Sequence, residues 1–146
     1  ACNTATTVAI RELRETYPTM KFVGIEPMVK PAASLTESGR IAVLATPATL
    51  QSARYQELKD TWAKGVTIEE PDCSDWASLI EHEKSDQVPI ESVIEDLVSR
   101  DVDVIVLACT HYHWLKDRAE LAAKGRAKIL EPSDAISRRI KDITTG

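Results

Sequence analysis

The sequence predicts an α/β domain built on a parallel sheet, and three observations carry that expectation. Short apolar runs alternate with helix-period segments along the whole chain, the pattern of repeated strand–helix units. The run 102–108 is apolar except for Asp103, as suits a strand covered on both faces. Just before it, Ile90, Val93, Ile94, Leu97 and Val98 recur at i, i+3, i+4, i+7 and i+8. That is the stripe of a helix laid on a sheet.

Taken in order, residues 5–17 form a helix with Val8, Ala9 and Leu13 on its apolar side, stopped by Pro18. Residues 21–25 read as a short strand ended by Glu26-Pro27. A loop with Pro31, Ser34, Ser38 and Gly39 leads to a strand at 41–45. Thr46 then caps a helix with Pro47 in its first position, running to about Ala63. A strand at 66–68, a helix at 73–84, the striped helix at 89–99 and the strand at 102–108 follow. A helix at 114–124, a strand at 128–130 and a helix at 133–143 complete the series. Ligands of parallel sheets bind at the carboxyl ends of strands. The turns at 46–49 and 109–111 both belong there.

The chain has 146 residues, enough for one domain with a real core. Its 18 Lys and Arg against 23 Asp and Glu give a net charge of −5 with no basic run, which argues against nucleic acid or an anionic membrane as partner. No apolar stretch approaches the roughly 18–20 residues of a membrane span, and no signal-peptide pattern opens the chain. Cys2, Cys73 and Cys109 are odd in number and widely spaced, which points to a reducing cytosol rather than a disulfide framework. Cys2 has no strand before it, so a fragment or processed form is expected.

Two runs carry candidate chemistry: Ala1-Cys2-Asn3-Thr4 and Ala108-Cys109-Thr110-His111. Each sets a cysteine before a helix-type segment. There the dipole can lower a thiol pKa from about 8.5 to roughly 3.5–7.5. Two such thiols facing one cavity form a matched pair of proton carriers, one entering as thiolate and the other as thiol. Backbone N–H groups and Thr or Asn side chains can hold carboxylates beside them. His111 stands two residues beyond Cys109, close enough to exchange a proton with it or stabilise its charge. Other readings compete. A lone cysteine is most simply a small buried hydrophobe, the reading adopted for Cys73. Cys109, His111 and His113 could form half a zinc site, but their spacing fits no standard finger, and no metal is expected. Glu81 sits in the charged run 81–86, which by itself is a solvated helix face. Thr46 and Thr49 are at least capping residues. Trp62, Trp76 and Trp114 read as packing.

Ala1-Cys2-Asn3-Thr4-Ala5, Gly24-Ile25-Glu26-Pro27 with Lys30-Pro31-Ala32, Ala45-Thr46-Pro47-Ala48-Thr49 and Leu107-Ala108-Cys109-Thr110-His111-Tyr112 occur in order. With the closing run 131–139, this set resembles the glutamate racemases of the aspartate/glutamate racemase superfamily. The resemblance implies cofactor-independent, two-base racemisation of glutamate in the cytoplasm, supplying D-glutamate for peptidoglycan. It implies Cys2 and Cys109 as the acid/base thiols, Cys2 acting on the D-enantiomer and Cys109 on the L-enantiomer. His111 and Glu81 are implied as supporting groups beside Cys109. Asn3, Thr4, Thr46, Thr49 and Thr110 are implied as substrate contacts. The implied partner is the small molecule glutamate, with a homodimer as a possible assembly.

The implied fold is flavodoxin-like, with helices on both sheet faces and two pseudo-symmetric lobes around a cleft. Residues 1–26 would be a remnant of the first lobe, 27–132 the complete second, and 133–146 a helix returning to the first. Helices 5–17 and 137–143 would then expose apolar faces. The chain departs from the family pattern at Ala108, where glycine is common, and at His113-Trp114, where proline-leucine is common. It also lacks the family's Asp-Ser-Gly and Tyr-Gly turns, so an N-terminally truncated racemase is expected. Two alternatives stay open: a non-catalytic fragment that binds glutamate or contacts subunits, and a racemase for aspartate.

Overall fold

The structure, a computed structural model, describes residues 2–145; Ala1, the first residue of the opening motif, lies outside them. Four strands, β1 (Arg40–Leu44), β2 (Thr67–Glu69), β3 (Val104–Leu107) and β4 (Lys128–Leu130), form an all-parallel sheet in the order β2-β1-β3-β4. Eight α-helices are described: α1 (Asn3–Thr16), α2 (Val29–Leu35), α3 (Pro47–Leu50), α4 (Ala53–Trp62), α5 (Trp76–Glu81), α6 (Ile90–Ser99), α7 (Lys116–Ala123) and α8 (Ser133–Thr145). None of them is long and apolar enough to cross a membrane.

Side chains alternate along each strand, and here both faces are covered. Ile41, Val43, Val104 and Val106 pack against Val29, Ala32, Tyr55 and Leu58 of α2 and α4. Ala42, Leu44, Ile105 and Leu107 pack against Ile90, Ile94, Leu97 and Ala119 of α6 and α7. Every residue of β3 is buried, which explains its continuous apolar run. From β1 the chain moves outward to β2, then returns across β1 to place β3 on the other side. The carboxyl ends of β1 and β3 therefore flank the point where the winding reverses. Open α/β sheets have a crevice at that point.

Some expected elements differ. No strand forms at 21–25. The Ile25 amide bonds the Thr6 hydroxyl at 2.9 Å instead of a neighbouring strand. The helix expected from Thr46 to Ala63 breaks at Gln51-Ser52. There the Ser52 hydroxyl donates to the Thr49 carbonyl at 2.7 Å and accepts from the Tyr55 amide at 3.2 Å, capping a new helix. The helix expected over 73–84 is confined to α5 and stops as Glu83 turns left-handed, φ 59°. Before α7, Thr110–Leu115 form a 3₁₀ turn rather than a helix beginning at Trp114.

The loop 21–28 is pinned to α1. A methyl group on Gly24 would lie 2.7 Å from Thr6 Cγ2, so only hydrogen fits there. We expect Gly24→Ala to destabilise the fold by about 1–3 kcal/mol through this overlap. Adding Thr6→Ser, which removes the methyl and keeps the hydroxyl, should recover most of the loss in urea midpoint. An unchanged midpoint for Gly24→Ala would contradict the close packing. The opposite face of α1 is unpartnered: Val8 is 75% exposed. α8 has no buried residue, and Ile140 is 45% exposed. Lys21 tethers that helix by donating to the Ile143 carbonyl at 2.8 Å.

Candidate active site

The register sets Leu44 beside Leu107, and the Ala108 amide donates to the Leu44 carbonyl at 2.8 Å. The segments leaving β1 and β3 thus emerge side by side, and Thr46 and Cys109 stand just beyond them. On the β1 side, Thr46 caps α3 with its hydroxyl accepting from the Thr49 amide, and Pro47 takes the first helical position. The N-terminus of α1 meets this turn. The Thr4 hydroxyl lies 3.0 Å from both the Thr46 and Thr49 hydroxyls, and those two are 3.2 Å apart. The predicted contacts Thr4, Thr46 and Thr49 therefore form one hydroxyl cluster.

Cys2 is the N-cap of α1, and its sulfur accepts from the Ala5 amide at 3.3 Å. Asn3 is 1% exposed, yet neither its carbonyl oxygen nor its amide nitrogen has a partner among the described residues. A buried amide left unpaired costs free energy. It thus marks a place where a ligand's polar groups would be favoured.

On the β3 side, Cys109 opens the 3₁₀ turn in extended conformation. Its sulfur lies 3.5 Å from His111 Nδ1, and His111 Nε2 lies 2.8 Å from Glu81 Oε1. Thiol, imidazole and carboxylate form a chain. A carboxylate on Nε2 favours the tautomer that carries its proton there, leaving the Nδ1 lone pair toward sulfur. Thr110, also predicted to contact substrate, is exposed.

One expectation is reversed. The Cys109 thiol is pushed up, not down. Burial is the largest cause, and the Cys2 and Glu81 charges add to it. The His111 and Tyr112 amides pull the other way without overcoming burial. Cys73 is buried, as expected, and burial pushes its thiol from an ordinary 9.0 to about 12.

Sequence patterns did not single out the buried support beneath Cys109. Tyr112 donates to the Cys73 carbonyl at 3.1 Å and packs against Trp76 with ring centroids 5.5 Å apart, tying α5 to the turn. Tyr112 lies in the quoted motif, but its partners are 36 to 39 residues away, so no local spacing could reveal them. No group of three or more metal-ligating side chains occurs among the described residues. A separate groove of about 680 Å³, lined by Val8, Arg11, Glu15, Glu26 and Arg54, contains none of the predicted residues.

The glutamate racemase of Pseudomonas putida strain F1 is 37% identical over 145 residues, covering 97% of this chain and 55% of its own length. That of Pseudomonas aeruginosa strain UCBPP-PA14 is 34% identical, with 98% and 56% covered. Among solved structures, Escherichia coli glutamate racemase in complex with L-glutamate and the activator UDP-MurNAc-ala superposes with a TM-score of 0.77. It has 30% identity and covers 96% of this chain and 55% of that one. Glutamate racemase from Aquifex pyrophilus gives a TM-score of 0.61 at 28% identity, with 97% and 56% covered. The chain spans about half the length of the relatives it matches. The model of the Asp/Glu/Hydantoin racemase family matches residues 1–139; the chain belongs to that family.

Proposed function

We propose that this chain carries the two thiols of a glutamate racemase, with Cys2 and Cys109 on opposite sides of the substrate's α-carbon. One observation carries the reading. Past the neighbouring ends of β1 and β3, the Cys109–His111–Glu81 chain follows β3, while the threonine cluster that follows β1 is joined by α1, which carries Cys2 at its N-cap and unpartnered Asn3.

Starting from L-glutamate, Cys109 as thiolate takes the α-proton, and Cys2 as thiol delivers a proton to the opposite face. From D-glutamate the roles exchange. His111 accepts the thiol proton of Cys109 and returns it, while Glu81 favours the tautomer that makes this transfer available. Asn3, Thr4, Thr46, Thr49 and Thr110 hold the carboxylates and ammonium, and hydrogen bonds to the α-carboxylate stabilise the charge that grows as the proton leaves. Proton transfer between side chains needs no cofactor, and none is proposed. Because burial raises the Cys109 thiol, α-deuterium exchange of L-glutamate by Cys2→Ser, which needs only the Cys109 thiolate, should climb with pH beyond the ordinary cysteine range.

The role assigned is supply of D-glutamate for peptidoglycan in the cytoplasm. Residues 27–132 form the second lobe, while 1–26 and 133–146 belong to the first. The apolar faces of α1 and α8 support this division. They also favour a second reading, in which the chain binds glutamate or contacts subunits and needs further surface before it turns over. A racemisation assay following optical rotation, paired with far-ultraviolet circular dichroism, separates the two. Interconversion of the glutamate enantiomers supports the first reading, and a folded but inactive chain supports the second. Faster interconversion of aspartate would move the substrate assignment.

A further inference from the structure

Arg118 lies on α7, which continues directly from the turn carrying Cys109 and His111. Its guanidinium forks onto Glu91, Nε to Oε1 at 2.6 Å and Nη2 to Oε2 at 2.7 Å. It also donates to two backbone carbonyls, from Nη1 to Ser85 and from Nη2 to Val88. Both carbonyls belong to the connection between α5 and α6, and α5 ends on Glu81. A planar, forked donor can satisfy such a set together, as an ammonium cannot.

The connection is short and stiff. The Lys84 amide bonds the Leu79 carbonyl at 2.8 Å, the Glu83 amide bonds the Ile80 carbonyl at 3.1 Å, and Glu83 is left-handed. Residues 83–84 are thus locked onto α5, so holding Ser85 also holds the end of that helix. The Glu81–His111 pair needs outside support. Its side chains are 58% and 34% exposed, and exposed ion pairs order themselves weakly. The Trp76–Tyr112 contact fixes the start of α5. Arg118 fixes the segment beyond its end.

We infer that Arg118 is a positioning residue for the Cys109 side of the site: by clasping the α5–α6 connection to α7, it sets the reach of Glu81 to His111. The inference rests on the Cys109–His111–Glu81 chain proposed above. Glu81 acts on sulfur through His111: by accepting from Nε2 at 2.8 Å it keeps the Nδ1 lone pair turned toward the thiol.

The test is the rate of alkylation by iodoacetamide near neutral pH, with Cys109 and Cys2 read separately by peptide mass. Four chains are compared: unmodified, Glu81→Gln, Arg118→Met and the double variant. Glu81→Gln is expected to slow Cys109 about two- to fivefold. Arg118→Met is expected to slow it similarly, the double variant no more than Glu81→Gln alone, and Cys2 is unchanged in all. Effects that multiply in the double variant, or that slow Cys2 equally, would overturn the inference in favour of a general packing role. Should Arg118→Met fail to fold, Glu91→Gln loosens the same clasp without shortening a side chain, and the same lack of additivity with Glu81→Gln is required. Alkylation needs no turnover. An inactive chain that keeps this coupling would refute the racemase reading alone, and an active chain without it would refute only the role of Arg118.

Discussion

Replacing Cys109 by serine is expected to lower racemisation by at least about 10²–10⁴-fold, the range associated with a positioned acid/base group. One half-reaction should survive. Cys2 can still take the α-proton of D-glutamate, so that enantiomer should exchange it for solvent deuterium with its configuration retained, while L-glutamate stays unlabelled. Cys2→Ser should give the mirror result, exchange of L-glutamate alone. A hydroxyl is too weak an acid to stand in for either thiol, whereas the threonine cluster and Asn3 keep their positions for binding. Full racemisation by either variant would remove the two-thiol account.

The second large effect concerns stability at alkaline pH. Burial raises Cys73 from 9.0 to about 12, and raises Tyr55 and Tyr112 as well. In each case the unfolded chain gives up its proton first. The stabilisation is therefore complete below the unfolded pKa and is lost as pH climbs toward the folded one. For Cys73 the window opens near 9.0 and closes near 12. Its share of the loss should be about 2–3 kcal/mol by about pH 11. Urea midpoints measured between about pH 8 and pH 11 should fall steeply in the unmodified chain and less steeply in Cys73→Ala. Equal slopes would mean that Cys73 ionises as freely in the folded protein as in the unfolded one.

The most legible parts of the sequence were those governed by local rules. The 3.6-residue stripe beginning at Ile90 became α6, β4 occupies 128–130 as expected, and Thr46-Pro47 caps and opens α3. The placement of Thr46 and Cys109 at the carboxyl edge of the sheet followed from parallel order alone, whereas the adjacency of β1 and β3 came from the strand order. Elsewhere a partner distant in sequence decided the outcome. Residues 21–25 have a strand's composition, but Thr6 takes the Ile25 amide that a ladder would need. The turn after Cys109 looked suited to lowering its pKa. Two amides do act that way, but burial by distant segments reverses the sign. Glu81 lies in a charged run that, without the resemblance, reads as a solvated face; its pairing with His111 spans 30 residues. Arg118 reaches back 27 residues to Glu91.

The central claim is that two sulfurs serve one stereocentre from opposite sides, and solvent isotope tests it most directly. L-glutamate is incubated with the unmodified protein in D₂O and sampled at early times, with each enantiomer's α-position read by mass after chiral separation. A thiolate that removes protium on one face and a separate thiol that delivers deuterium on the other predict a D-glutamate product that is deuterated while the remaining L-glutamate keeps its protium. A D-glutamate product that carries the original protium would show one group working on both faces and would contradict the account.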